Sequence, residues 1–182
     1  IGSGIVADSG SGPEWEECLL KSSFLNFPPP PEEVFTTLLW DKHKGFRFLL
    51  RHLRRLRNTC QWLCRDFPLS QIMASLKQER TQYKKLNFAR LRITINSRSK
   101  VKLQFTELDS PSWDQLRVQL SETRLNSKDP FHFHKTSSRQ LHDDAFASAR
   151  EANFDEALFF NEKDELCEAC ISSIFILSAE DQ

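Results

Sequence analysis

"DEALFFNEKDELCEACISSIFIL", Asp155 to Leu177, carries two apolar runs on either side of the polar turn "EKDE". Alternation with a period of two predicts strands, and a short polar break predicts a hairpin of "EALFFN" with "ISSIFIL". Immediately upstream, "SSRQLHDDAFASAREAN" (137–153) gathers small residues on one face and reads as a helix. Further upstream the same alternation returns. "EVFTTLLWD" (33–41) predicts a strand, "KHKG" a turn, and "ARLRITINSRSKVKLQFTEL" (89–108) a second hairpin about a polar "NSRS" turn. Between them, "FRFLLRHLRRLRNTCQWLCRDF" (46–67) places apolar residues at 49, 50, 53, 56, 60, 63 and 64, which is helical spacing. Pro68 and Ser70 open a further helix, "LSQIMASLKQER". Strands followed by helices in two successive blocks define an α+β class.

The first 33 residues have a different character. "IGSGIVADSGSG" is rich in glycine and serine around a short apolar strand, Ile5 to Ala7. "PEWEECLLKSSFL" then predicts a helix, with proline in its first turn and early carboxylates at the positive end of its dipole. "NFPPPPEE" cannot continue a helix or a central strand, so a stiff linker is expected at 25–33. The opening without methionine and the stop after an apolar run lead us to expect a piece of a longer polypeptide.

Composition narrows the function. With 25 basic and 25 acidic residues among 182, bulk charge argues against a general nucleic-acid binder. No apolar run reaches the ~20 residues of a membrane helix, and no signal peptide is recognisable at the N-terminus. Five cysteines, an odd number, suit reduced thiols in a cytosolic or organellar compartment, and a cytoplasmic location is expected. Cys60, Cys64, Cys167 and Cys170 are a conceivable zinc set, but the first two fall in or beside the apolar stripe of their helix, where cysteine behaves as a small hydrophobe. An amine, a carboxylate and a guanidinium are the other groups of interest. Lys135, within "HFHKTSSR", can condense with an aldehyde and move protons when its pKa is lowered. Glu168, at the rim of an apolar strand, can partner a cationic ring nitrogen. The arginines of "RFLLRHLRRLR" offer a fork for a phosphate. Most lysines and arginines are solvated charges, so none of these is decisive alone.

Two resemblances join them. Residues 1–24 resemble the end of the chorismate-utilising domain of aminodeoxychorismate synthase component I. Gly2, Gly4 and the run Ile5 to Ser9 match its glycine-rich segment, and Glu14 and Glu17 its two helix glutamates. That resemblance implies magnesium ligation by Glu17, with Glu14 beside it. Residues 34–178 resemble the first part of aminodeoxychorismate lyase, a pyridoxal phosphate enzyme of the branched-chain-aminotransferase-like, fold-type IV family. The matching blocks are Thr37 to Trp40, Phe46 to Leu56, His134 to Arg139 and Asn161 to Glu168. The chain departs from the pattern at Thr36 (usually glutamate), His142 (commonly tyrosine), Ile171 (often arginine) and Ser173 (usually asparagine).

The lyase resemblance implies Lys135 as the Schiff-base lysine, Glu168 as partner of the pyridine nitrogen, Arg55 as the phosphate-binding arginine, and Ser173 at a cofactor-contacting position. It implies a small subdomain at 34–110 and the beginning of a large cofactor-binding subdomain at 111–182, with a strand near Val118. It implies 4-amino-4-deoxychorismate as substrate, pyruvate and para-aminobenzoate as products, and a homodimer when intact. For the parent fusion it implies chorismate as substrate and a glutamine amidotransferase partner. The family's phosphate-binding loop lies beyond the pattern matched here, so these 182 residues alone are expected not to hold the cofactor. Alternatives are a branched-chain or D-amino-acid aminotransferase of the same fold, an inactive product, or a zinc-stabilised module.

Overall fold

The computed structural model describes residues 8, 10–22, 29–109 and 115–177. The chain divides into two compact units, Ile1–Pro30 and Pro31–Gln182. In the first, helix α1 spans Ser11–Ser22, and an i,i+4 ion pair joins Glu17 to Lys21 at 2.5 Å. The expected strand at Ile5 to Ala7 and the glycine-rich match around it lie outside the described residues, apart from Asp8.

The second unit contains two sheets among its described residues. The first has strand order β2-β1-β3-β4, all antiparallel, from β1 (Glu33–Asp41), β2 (Gly45–Phe46), β3 (Phe88–Asn96) and β4 (Val101–Leu108). The turn between β1 and β2 closes because Asp41 Oδ1 accepts the N–H groups of His43 (2.8 Å) and Lys44 (3.1 Å), and because Gly45 adopts φ 73°. Helices α2 (Leu49–Trp62), α3 (Leu69–Gln78) and α4 (Arg80–Tyr83) follow. Alternation in the strands gives the sheet two unlike faces. Val34, Leu38, Leu91, Ile93 and Ile95 point one way and join Leu53, Leu56, Cys60, Ile72 and Leu76 in the main core. Trp40, Phe46, Tyr83 and Phe105 form an aromatic cluster at one end, with ring centroids 4.7 to 6.4 Å apart.

The second sheet has order β5-β6-β7, from β5 (Val118–Leu120), β6 (Glu156–Phe160) and β7 (Leu166–Ala169), with α5 (Gln140–Glu151) packed on β6. The strand expected near Val118 is present, parallel to β6. Leu125, Ala149, Ala157, Phe159 and Cys170 make its smaller core.

Two expectations need correction. The long helix expected over 46–67 is shorter at both ends. Phe46 is taken by pairing with Trp40, Phe48 is left-handed at φ 53°, and Cys64 at φ 54° ends the last turn. The strand expected at "ISSIFIL" does not form. The partner of β6 is the segment before it, Leu166–Ala169; Cys170 N–H makes a last backbone bond to the Ala157 carbonyl (3.1 Å), and the amides of Ile171 and Ser172 then turn to the Glu156 side chain and leave the ladder. Phe175, Ile176 and Leu177 are left 91, 78 and 70% exposed.

Leu56 is 1% exposed at the centre of the main core, whereas Leu50 on the same helix is 82% exposed. Leu56→Ala is expected to destabilise by about 2–5 kcal/mol and Leu50→Ala by less than about 0.5 kcal/mol, as read from denaturant unfolding.

Candidate active site

The polar face of the first sheet is the starting point. In β1, β3 and β4 the residues between the core positions are Phe35, Thr37, Arg90, Arg92, Gln104 and Thr106, and antiparallel register sets Thr37 beside Arg92 and Arg92 beside Gln104. They wall a cavity of about 590 Å³ that Lys135 and Arg139 also line. The Arg92 guanidinium lies 3.5 Å from the Phe35 ring centroid.

Lys135 reaches this face through backbone pairing. The first half of β1 is paired with β3 on one side only, and the segment 134–137 takes the other edge. Phe35 N–H donates to the Lys135 carbonyl (3.0 Å), Ser137 N–H to the Glu33 carbonyl (2.9 Å), and Glu33 N–H to Ser137 Oγ (3.0 Å). Val34 and Thr136 form an antiparallel bridge, and Thr136 is 4% exposed. His134 stacks on Trp62 at 4.3 Å, and its Nδ1 lies 3.2 Å from Thr59 Oγ1. Lys135 is therefore fixed on both sides.

A second cavity, of about 500 Å³, lies against the second sheet. Arg55, Lys135, Glu168 and Ser173 all line it. The four residues singled out for the cofactor thus converge on one cavity, drawn from α2, the 134–137 segment, β7 and the loop after it. Arg55 Nη2 donates to Thr36 Oγ1 (2.8 Å), and Thr36 Oγ1 lies 2.9 Å from His52 Nδ1. With Thr36 accepting from Arg55, its own hydrogen is available to His52 Nδ1. Burial, with Arg55 and Lys135 nearby, lowers the His52 pKa, which suits a neutral, accepting ring. Arg51, Arg54 and Arg57, exposed like Arg55, do not line this cavity.

Electrostatics distinguish Lys135 from an ordinary surface lysine. Burial pushes its amine below the usual lysine range, Arg55, Arg139 and Arg92 push the same way, and Glu168 opposes them. Burial alone would raise Glu168. The hydrogen bond from His142 Nε2 (3.0 Å) and the neighbouring His142, His132 and Lys135 outweigh it, and the carboxyl falls below its ordinary value. His132 Nδ1 is 3.8 Å from the same Glu168 oxygen. A lowered amine, an ionised carboxylate and an arginine around a space of this size fit an anionic, aldehyde-bearing aromatic cofactor.

Other candidates are not assembled. Cys60 and Cys170 are buried and Cys64 and Cys167 exposed, all free, and among the described residues no group of three or more His, Cys, Asp or Glu could hold a metal ion. Glu14 and Glu17 alone fall short of the octahedral oxygen set magnesium takes, and Glu17 is already paired with Lys21. No helix among the described residues is long and apolar enough to cross a membrane. Sequence reasoning missed Arg92, Arg90 and the Glu168–His142 pair. The alternation of "ARLRITIN", with both arginines opposite the apolar positions, is the signal that could have found the first two.

Comparison with known proteins bears on this arrangement. Residues 33–181 match the amino-transferase class IV family, and the chain belongs to it. Its fold is the fold-type IV aminotransferase-like α+β fold, and that family is pyridoxal phosphate-dependent. A candidate amino-acid aminotransferase from Mesorhizobium loti is similar at 26% identity and a TM-score of 0.69, over 76% of this chain and 67% of that one. A candidate 4-amino-4-deoxychorismate lyase from Legionella pneumophila is 19% identical, with a TM-score of 0.64 over 82% of this chain. The branched-chain amino acid aminotransferase of Escherichia coli is 15% identical, with a TM-score of 0.61 over 78% of this chain. The chain spans 58% of the Legionella protein and 53% of the Escherichia coli one. No curated protein matches it significantly.

The charges around Lys135 make an amine-labelling experiment diagnostic. Acylation of Lys135 is expected to follow a pH profile with its midpoint below the ordinary lysine value of 10.5. Arg55→Gln removes a positive neighbour and should move the midpoint up, while Glu168→Gln removes the opposing carboxylate and should move it down. Peptide mass spectrometry across a pH series reads both shifts; movement in the same direction would show that the local field is otherwise arranged.

Proposed function

We propose that this chain supplies the lysine-bearing site of a 4-amino-4-deoxychorismate lyase, which releases pyruvate and leaves para-aminobenzoate. The convergence of Lys135, Glu168 and Arg55 on one cavity carries the reading. Pyridoxal 5'-phosphate, when bound, supplies a carbonyl that condenses with amines and a ring that accepts electron density. Lys135 Nζ, kept neutral more readily than an ordinary lysine, takes and returns the proton during elimination. Glu168, ionised and oriented by His142, holds the proton at the ring nitrogen. Arg55, one nitrogen already committed to Thr36, anchors the phosphate with the rest of its fork, and the Ser173 hydroxyl lines the same cavity. The neighbouring cavity, with Arg90 and Arg92 on its wall, suits a substrate that carries carboxylates.

On the same reading, residues 1–24 are the end of a chorismate-utilising synthase domain, in which Glu14 and Glu17 complete a magnesium site together with residues elsewhere in that domain. The parent aminates chorismate with ammonia from a glutamine amidotransferase partner, acts in the cytoplasm in folate synthesis, and pairs as a homodimer. The support for the synthase part is the glycine-rich and "EWEE" match alone; the homodimer rests on the lyase resemblance and the cytoplasmic location on the cysteine usage.

The 26% identity to the candidate amino-acid aminotransferase favours the rival reaction, amino transfer to a 2-oxo acid. The two separate cleanly. The protein carrying this chain, supplied with pyridoxal 5'-phosphate and 4-amino-4-deoxychorismate, is expected to release pyruvate and para-aminobenzoate in equal amounts with no 2-oxo acid added. Lys135→Ala should lower the rate by at least about 10²-fold, the scale of a general acid–base group. Turnover that requires a 2-oxo acid and releases no pyruvate would establish the aminotransferase instead.

A further inference from the structure

Glu156, the first residue of β6, is 2% exposed. A carboxylate in such a place is costly unless its oxygens are saturated with hydrogen bonds. Here Oε1 accepts the N–H groups of Ala157 (3.0 Å) and Cys170 (3.1 Å, shared with the Ala157 carbonyl at 3.1 Å), and Oε2 those of Ile171 (3.2 Å) and Ser172 (2.9 Å), which have no backbone partner among the bonds described. Three consecutive amides, 14 to 16 residues further along the chain, thus converge on one side chain. Such an amide concavity ordinarily receives a free anion; in this chain a side chain fills it. Arg139 Nη2 donates to the Cys170 carbonyl (3.0 Å).

The position of this clamp matters. Glu168 lies two residues before Cys170, on a four-residue strand whose pairing with β6 slips between Phe159 and Phe160. So short an interrupted ladder constrains its side chains weakly. Ile171 and Ser172, held by the clamp, line both cavities. We propose that Glu156 is a positioning residue. Its carboxylate holds the 170–172 turn, and through that turn it aims Glu168 at His142 and sets the wall shared by the two cavities. The catalytic consequence rests on the role given to Glu168 above; the clamp itself does not.

The test therefore uses the protein without cofactor. Its probes are ¹⁵N resonances of the His142 ring, which report the bond to Glu168, and hydrogen exchange of the amides at 171 and 172. Glu156→Gln keeps the volume but turns an NH₂ group toward one pair of amides. Exchange at the turn is expected to quicken by at least about tenfold, and the His142 resonances to move toward those of an unbonded imidazole. Glu156→Ala leaves a hole lined by four N–H groups, so formate, but not chloride at equal ionic strength, should restore both signals. Leu125→Ala, a destabilising change in the same core cluster, should leave the His142 resonances in place. A quickened turn with unmoved His142 resonances in Glu156→Gln would overturn the proposal. So would wild-type amides at 171 and 172 that exchange at the random-coil rate, a measurement independent of any variant's folding. If the clamp signals behave as expected and no lyase or aminotransferase activity is found, the reading of function fails and the clamp stands.

Discussion

The site depends on one piece of backbone pairing, the docking of residues 134–137 along the open edge of β1. That edge is open because β2 pairs with β1 only at Trp40 and Asp41. Unpaired edge groups seek partners, and here the partner is the segment that carries Lys135. The bridge joins the two sheets of the unit, so a residue on α2 and a residue on β7 come to border one cavity. Were the segment shifted by one residue, the strand period of two would turn Lys135 away and present Thr136, now 4% exposed, in its place.

Charge placement follows from the same pairing. Docked there, Lys135 shares one cavity with Arg55, the other with Arg92 and both with Arg139, and has Glu168 as the opposing charge. Burial first, and then three cations against one anion, favour the neutral amine. The arginines are tolerated because each has its own partner: Arg55 bonds Thr36, Arg139 bonds Asp143 and the Cys170 carbonyl, and Arg92 lies on the Phe35 ring. The chain thus lowers the basicity of one amine with groups it has already stabilised elsewhere.

Much of this was legible in the sequence, for reasons that differ by residue. The alternation in 33–41 and 89–108 reports a sheet with one apolar face, because the pleat writes itself into every second position. Lys135, Arg55 and Glu168 were legible only jointly, through the order and spacing of four motifs. "ISSIFIL" misled because an apolar, isoleucine-rich run records a capacity for strand formation and says nothing about available partners. Glu156 left no trace at all. A carboxylate bonded to main-chain amides on a later segment has no periodicity and no partner residue type, since any non-proline residue at 170–172 could supply the N–H. Arg92 drew no notice in the sequence; it is the register that places it beside Thr37 and Gln104.

The two cavities share Lys135, Arg139, Ile171 and Ser172, so the amine stands where they meet. This division of labour has a physical logic. On the proposed function, the side toward Glu168 and Arg55 offers a carboxylate to a ring nitrogen and a cation to a phosphate. The side toward Arg90 and Arg92 offers cations on a rigid sheet. A reactive group held between them can address a substrate on one side without giving up contact with what it holds on the other. Both walls at the junction end in the 170–172 turn, and its amides close on Glu156. On the proposed reading, then, a buried carboxylate that touches neither cofactor nor substrate fixes the distance between the two halves of the chemistry, because the turn cannot move toward one cavity without opening the other.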